Sequence, residues 1–187
     1  MTYDEALAVA RRDAHALAER LLGQQLKSDR RSRVALSCFA IAQQHHSSII
    51  VLLSHPSPLQ ASAFALLRPL AEAIFRGLWV AHCASEEKAE NLHTGAKKQI
   101  DMATIVRELI EAGGKAGDHP DFYRRVWPHL SAFTHSYEAS LDPWLQGQDV
   151  EANFEDGDLM SLLKRTHLMC QCIEAGVLSM RADPSET

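Results

Sequence analysis

No pair of cysteines in this chain has the CxxC spacing of a metal knuckle or a redox motif. The four cysteines are Cys38, Cys83, Cys170 and Cys172. The last two stand two positions apart, which on a helix aims them in clearly different directions. Neither a shared metal nor a mutual disulfide is expected from them, and reduced thiols fit best. A net positive charge is missing too: Lys and Arg total 19 against 24 Asp and Glu, a formal charge of -5. No global field therefore draws in nucleic acid. The first residues, MTYDEALAVARRDAH, carry acids and arginines where a secretion signal has its apolar core. The most apolar run, Leu59 to Cys83, is interrupted by Arg68, Glu72 and Arg76. That makes a poor membrane span and a good buried helix, so a cytoplasmic protein without a membrane partner is expected. There is no internal repeat. The Walker phosphate loop, the glycine-rich nucleotide fingerprint and the GxSxG elbow are all absent, which removes the common cofactor enzymes. No cofactor is expected.

Apolar residues make up 46% of the chain, enough to fill a core. They recur at helical spacing almost everywhere, and no alternating strand pattern stands out. The expectation is all-α: an up-and-down bundle of four long helices plus two or three short ones. One domain over 1–187 is expected, with an irregular loop over 142–158 and a flexible C-terminal tail over 182–187. The first helix should run from Asp4 to Leu22 and stop at Gly23. The second should run from Asp29 to Ser54, striped by Cys38, Ile41, Ser48, Ile49 and Leu52, and end at the HPSP run. A third should run from Pro58 to Ala84, with Pro69 kinking it or marking an irregular turn. Ser85 should cap a short fourth helix to His93. A fifth should run from Lys97 to Ala112, with Ile100, Ala103, Val106, Leu109 and Ile110 on one side. A sixth should follow Asp118. The last should run from Asp158 to Arg181, striped by Leu162, Thr166, Met169, Ile173, Val177 and Met180.

Charge gathers locally. Lys27, Arg30, Arg31 and Arg33 form a basic knot, and Asp149, Glu151, Glu155, Asp156 and Asp158 an acidic one. Both read first as solvated helix ends and loops. On the third helix Arg68, Glu72 and Arg76 are spaced by four, Trp79 returns to nearly the same direction, and His82 lies close to it. One polar ribbon thus crosses an otherwise apolar helix. Glu72 and Arg76 stand in the favourable order for an ion pair. The ribbon is either a ladder of mutually satisfied charges or a polar pocket, because unpaired buried charge is costly.

The sixth helix holds YRRVWPHLSAFTHSYE, from Tyr123 to Glu138. Pro128 removes a donor and starts a fresh helical segment, so that Arg124 and His129 converge. Arg124 followed by four residues and His129 resembles the arginine–histidine motif of the HEPN superfamily, the higher eukaryote and prokaryote nucleotide-binding domains. The wider pattern resembles uncharacterised bacterial helical proteins near that superfamily. It is carried by ASAFALLRPLAEAIFRGLWVAHCAS, by WPHLSAFTHS and by the closing helix. In that group the corresponding histidine looks more like His135, ten residues from Arg125. The resemblance implies a dimer that cleaves RNA without metal, in a toxin–antitoxin or defence setting, with RNA, a second copy and an antitoxin or other protein as partners.

Such cleavage needs a base for the 2′-hydroxyl, an acid for the leaving oxygen and a cation over the phosphate. Histidine near neutral pKa and the planar arginine fork suit those tasks. The candidate catalytic residues are therefore Arg124, His129 and His135. The candidate polar pocket is Arg68, Glu72, Arg76, Trp79 and His82. No metal site is expected. Glu90 and His93 have the Glu-x-x-His spacing of di-iron bundles, but the pair occurs once where two are needed. The adjacent His45 and His46 face different ways. The competing reading is a non-catalytic helical homodimer acting as an interaction or ligand-binding module.

Overall fold

Thr2 opens the chain with a capping box: its hydroxyl accepts the Glu5 N–H while Glu5 Oε2 accepts the Thr2 N–H at 2.8 Å. That starts α1 (Tyr3–Leu21). The computed structural model describes residues 1–95, 99–112, 130, 141–145 and 152–182. The described chain continues with α2 (Arg30–Leu53), α3 (Gln60–Ala65), α4 (Leu67–His82), α5 (Glu86–Thr94) and α6 (Met102–Glu111). A single 3-10 turn (Asp142–Trp144) precedes α7 (Asp156–Leu178). The class is all-α, and the described residues contain no strand, only one isolated bridge between Leu26 and Arg181.

Local chemistry sets the helix ends. Asp29 caps α2 by accepting the Ser32 N–H at 3.0 Å, and Ser85 caps α5 by accepting from Lys88 at 3.3 Å. Gly95 ends α5 in the left-handed region at φ 64, where glycine carries no Cβ penalty. Gly23 follows α1 at φ 75. The expected third helix is broken at Leu66. Pro69 is the cause: its ring would collide with the Ala65 carbonyl four residues back, so the helix restarts with Pro69 in its first turn. The expected fifth helix begins at Met102 rather than near Lys97. Asp101 takes the Thr104 N–H at 2.8 Å and starts the helix there, leaving Ile100 before it.

The described core residues form one cluster. Phe39 of α2 sits at its centre. An added Cβ on Gly77 of α4 would lie 2.8 Å from the Phe39 ring, and one on Gly176 of α7 closer still. Both glycines therefore exist as room for that ring, and three helices meet over it. The buried face of α2 is Ala35, Phe39, Ala42, His46, Ile49 and Leu53. Of the expected stripe only Ile49 belongs to it; Ile41 is 50% exposed and Ser48 faces outward. On α7 the expected stripe holds, with Leu162, Thr166, Met169, Ile173 and Val177 all buried; Met180 is buried too, just past the helix end at Leu178, three residues short of the expected Arg181. Thr166 satisfies its hydroxyl on the Leu162 and Leu163 carbonyls at 3.1 and 2.8 Å.

The connection after α1 runs beside the end of α7. The Lys27 N–H donates to the Met180 carbonyl at 2.9 Å, and the Ala182 N–H to the Gln25 carbonyl at 3.1 Å. Arg20 reinforces this closure with a two-pronged pair to Glu174 at 2.6 and 2.9 Å. Among the described residues α2 alone is long and apolar enough to cross a membrane by length and composition. Here one face of it is packed inside the core.

Candidate functional site

α4 carries the ribbon because its restart at Leu67, with Pro69 in the first turn, keeps Arg68, Glu72, Arg76 and Trp79 on successive turns. Their partners differ along the helix. Arg68 Nε donates to Glu72 Oε1 at 3.0 Å, with both side chains about one-quarter exposed. Glu72 thus takes the arginine before it, not Arg76. Arg76 is half-buried and lies close enough to α2 for its charge to act on the Cys38 thiol. Burial pushes that thiol up, and Arg76 only partly offsets the effect, so Cys38 is protonated at neutral pH.

Trp79 points elsewhere. Its ring is 1% exposed, and its Nε1–H donates to Glu108 Oε2 of α6 at 2.7 Å. Lys88 of α5 donates to both oxygens of the same carboxylate at 2.9 and 3.2 Å. Its Nζ also sits 5.8 Å from the Trp79 ring centroid. Burial pushes the Glu108 carboxyl up, but the Trp79 and Lys88 donors outweigh it and hold it below the usual range. This trio staples α4, α5 and α6 together. His82 is half-buried at the end of α4. Four of the five ribbon residues are therefore shared among an intrahelical pair, a contact toward α2 and an interhelical staple.

Arg124, His129 and His135 lie outside the described residues. Leu130, beside His129, is helical and buried.

Two clusters escaped the sequence reading. Between α1, α2 and α7, His167 Nδ1 stands 3.2 Å from Asp13 Oδ2, and Gln171 Nε2 is 3.2 Å from His167 Nε2. His46 lies close behind, 3% exposed, with no hydrogen-bond partner on Nδ1 among the described residues. Burial first, then His167, push its imidazole down to about 4, with Asp13 pulling the other way. Asp13 and His167 edge a cavity of about 560 Å³ between α1 and α7, walled by Ala6, Val9, Ala10, Met160 and Leu163. No sequence spacing links residues 13, 46 and 167; only the fold joins them.

The second cluster is a cleft of about 240 Å³ between α2 and α5, lined by Arg30, Arg33, Val34, Ser37, Cys38, Ile41, Leu92 and His93. The basic knot at the start of α2 signalled part of it. Arg30 holds Glu90 through two bonds, at 2.7 and 3.1 Å. Its Nη2 also lies 3.0 Å from His93 Nδ1. An arginine only donates, so Nδ1 is the acceptor and the ring proton sits on Nε2. Among the described residues no group of three histidine, cysteine or carboxylate side chains is placed to hold a metal ion.

No curated protein and no solved structure matches the chain. A family model does match, over residues 39–153, from Phe39 in α2 to Asn153 just before α7. The match takes in α4 with its ribbon and the segment containing Arg124 to His135. It leaves out α1 and α7 and with them the His46 neighbours Asp13 and His167. Covering well over half of the chain, it identifies the protein as a member of a family of unknown function, DUF6988.

Proposed function

We propose that this protein is a bacterial, cytoplasmic, HEPN-like helical bundle of four long helices with shorter ones between, which binds and cleaves RNA without metal as a homodimer. The observation that carries this reading is the spacing of Arg124 and His129 within an all-helical chain, on the segment that the family match includes. Arg124 would hold a phosphate oxygen through its planar fork, and His129 would take the 2′-hydroxyl proton. His135 would return a proton to the leaving oxygen, and a second copy would complete the site across a two-fold axis. The setting would be toxin–antitoxin or phage defence, with an antitoxin-type protein as a further partner.

The test is RNA cleavage by the purified protein in EDTA, beside His129→Ala and His135→Ala variants of equal folded content. Cleavage by the wild type that one variant loses supports the reading and names the histidine. An inactive wild type sinks it.

The cavity between α1 and α7 favours a second reading, a non-catalytic ligand-binding module. At about 560 Å³, with apolar walls and an Asp13–His167 pair at its edge, it lies within the roughly 300–1,000 Å³ of small-molecule sites. It falls wholly outside the matched segment, so such binding would belong to this chain rather than to its family.

A further inference from the structure

From Val34 to Ser54, α2 carries no Lys, Arg, Asp or Glu, in a chain that is 23% charged. Such a run is ordinary in a buried helix, yet the apolar window of α2 is only 39% buried. Its exposed positions include Ser37, Ala40, Gln44, Ser47 and Val51, flanked by Ile41 and Ser48. Their spacing alternates three and four, the seam of helix-to-helix pairing. The other long helices differ: α1 exposes Arg11, Arg12 and Glu19, and α7 exposes Asp158 and Lys164. Depletion of charge marks the centre of a protein–protein interface. The hydroxyls on this face cost little to cover. Ser37 and Ser48 already donate to the Arg33 and Gln44 carbonyls of their own helix, each at 2.8 Å. A shallow groove of about 700 Å³ runs along the face from Ala40 to Leu52.

We propose that this face docks a second copy of the chain, with α2 antiparallel to its counterpart about a two-fold axis at Gln44. Such an axis brings together positions equally far before and after Gln44. Ile41 then meets the second copy's Ser47, Ala40 meets Ser48, and Ser37 meets Val51. Each large apolar side chain lands on a serine, and the small residues let the two helices approach closely. Gln44 meets its own counterpart, and because an amide both donates and accepts, the two satisfy each other. Without charge on the face, identical surfaces meet without repulsion. The antiparallel sense also sets Arg33, exposed near the start of α2, against the C-terminal end of the other helix, where a cation is favoured. The 24 residues of α2 span about 36 Å, and a stripe about 10 Å wide along them covers roughly 350 Å² per copy. The total, on the order of 700 Å², falls short of the ~1,200 Å² of stable interfaces and belongs to weak, reversible pairing. This inference rests on the homodimer proposed above and gives it a face, but it uses none of Arg124, His129 and His135.

Sedimentation of the full chain, from micromolar to roughly millimolar protein, tests it. The mass should rise from 20.8 kDa toward twice that value as concentration increases. Ile41→Glu and Val51→Glu should each weaken pairing at least about tenfold, since each brings a charge into the contact. Both side chains are half or more exposed, so the variants should melt as the wild type does. Leu168→Glu makes the same change on α7, at a side chain 45% exposed, and should pair normally. Gln44→Cys, treated with a mild oxidant, should give a covalent dimer; the wild type and Arg11→Cys, treated alike, should not. That second readout holds even if a glutamate variant fails to fold. A wild type that stays monomeric throughout sinks both this inference and the homodimer reading. A wild type that pairs while Ile41→Glu and Val51→Glu pair equally well moves the dimer to another face and overturns this inference alone. An equal loss in Leu168→Glu does the same, by revealing a general effect of charge. A monomer that binds phosphatidylcholine vesicles through this face would assign it to lipid and overturn the proposal as well.

Discussion

At the residue scale, His46 and Phe39 show how much one buried ring can dictate. His46 is held neutral: burial and His167 push it from 6.5 to about 4. Above pH 6.5 neither the folded nor the unfolded chain protonates it. Below that value the unfolded chain takes up a proton that the folded chain refuses. Its contribution to stability is therefore complete above pH 6.5 and is lost as pH falls toward 4, by at most about 1.4 kcal/mol per pH unit and on the order of 3 kcal/mol in all. Urea unfolding of wild type and His46→Gln at several pH values should show the stability gap between them narrowing from pH 7 to pH 5. A constant gap would mean that His46 protonates equally in both states. Phe39 makes a second demand. Gly176→Ala or Gly77→Ala forces a methyl group into its ring and should cost about 1–3 kcal/mol. Adding Phe39→Leu to Gly176→Ala should recover part of that loss, a coupling that thermal melts of the single and double variants would measure.

At the element scale, the staple of Trp79, Glu108 and Lys88 explains why α4, α5 and α6 keep their mutual arrangement. Trp79→Phe strips a buried donor from Glu108 and should destabilise by about 1–3 kcal/mol. Glu108→Gln keeps an acceptor for the indole and should cost less. If the two variants melt together, the indole bond is not what binds these helices. The same elements show what could be read in advance. α7 was legible because its apolar positions repeat cleanly and Thr166 folds its hydroxyl onto its own helix. The start of α5 was legible because Ser85 is a strong cap, and α1 and α2 begin within one residue of the expected Asp4 and Asp29. The buried face of α2 was not. The N-terminal and middle turns of its inward side carry Ala35, Ala42 and His46 around Phe39, with Ile49 and Leu53 only toward the end, while Ile41 and Val51 point outward, 50% and 67% exposed. Large apolar residues on both faces therefore blur the phase of that helix. The ribbon was legible as a row of residues but not as a set of partners, because Glu108 and Lys88 come from other helices. The Asp13–His46–His167 cluster has no local signature, since its members come from three separate elements.

At the scale of the whole molecule, the family-matched segment is not the packing unit. Residues 39–153 contain Phe39 and Gly77 but not Gly176, and they lack Leu162 and Ile173, which are fully buried in the common core. A fragment of residues 39–153 should accordingly fail to fold alone, giving weak helical circular dichroism and no cooperative melt. Mixing it with a separate peptide carrying α7 should restore helicity. A cooperative melt from the fragment by itself would show that α7 is an accessory rather than part of the core. The clasp that joins the connection after α1 to the end of α7 has a kinetic counterpart. Arg20 and Glu174 are 154 positions apart in the chain, so their meeting closes nearly the longest loop available. That search is rewarded only after the intervening helices have shortened the effective path. The clasp should therefore be absent from the folding transition state. Weakening it, as in Glu174→Gln, should hasten unfolding while leaving the refolding rate almost untouched, so that the clasp governs how long the native state lasts rather than how quickly it is reached.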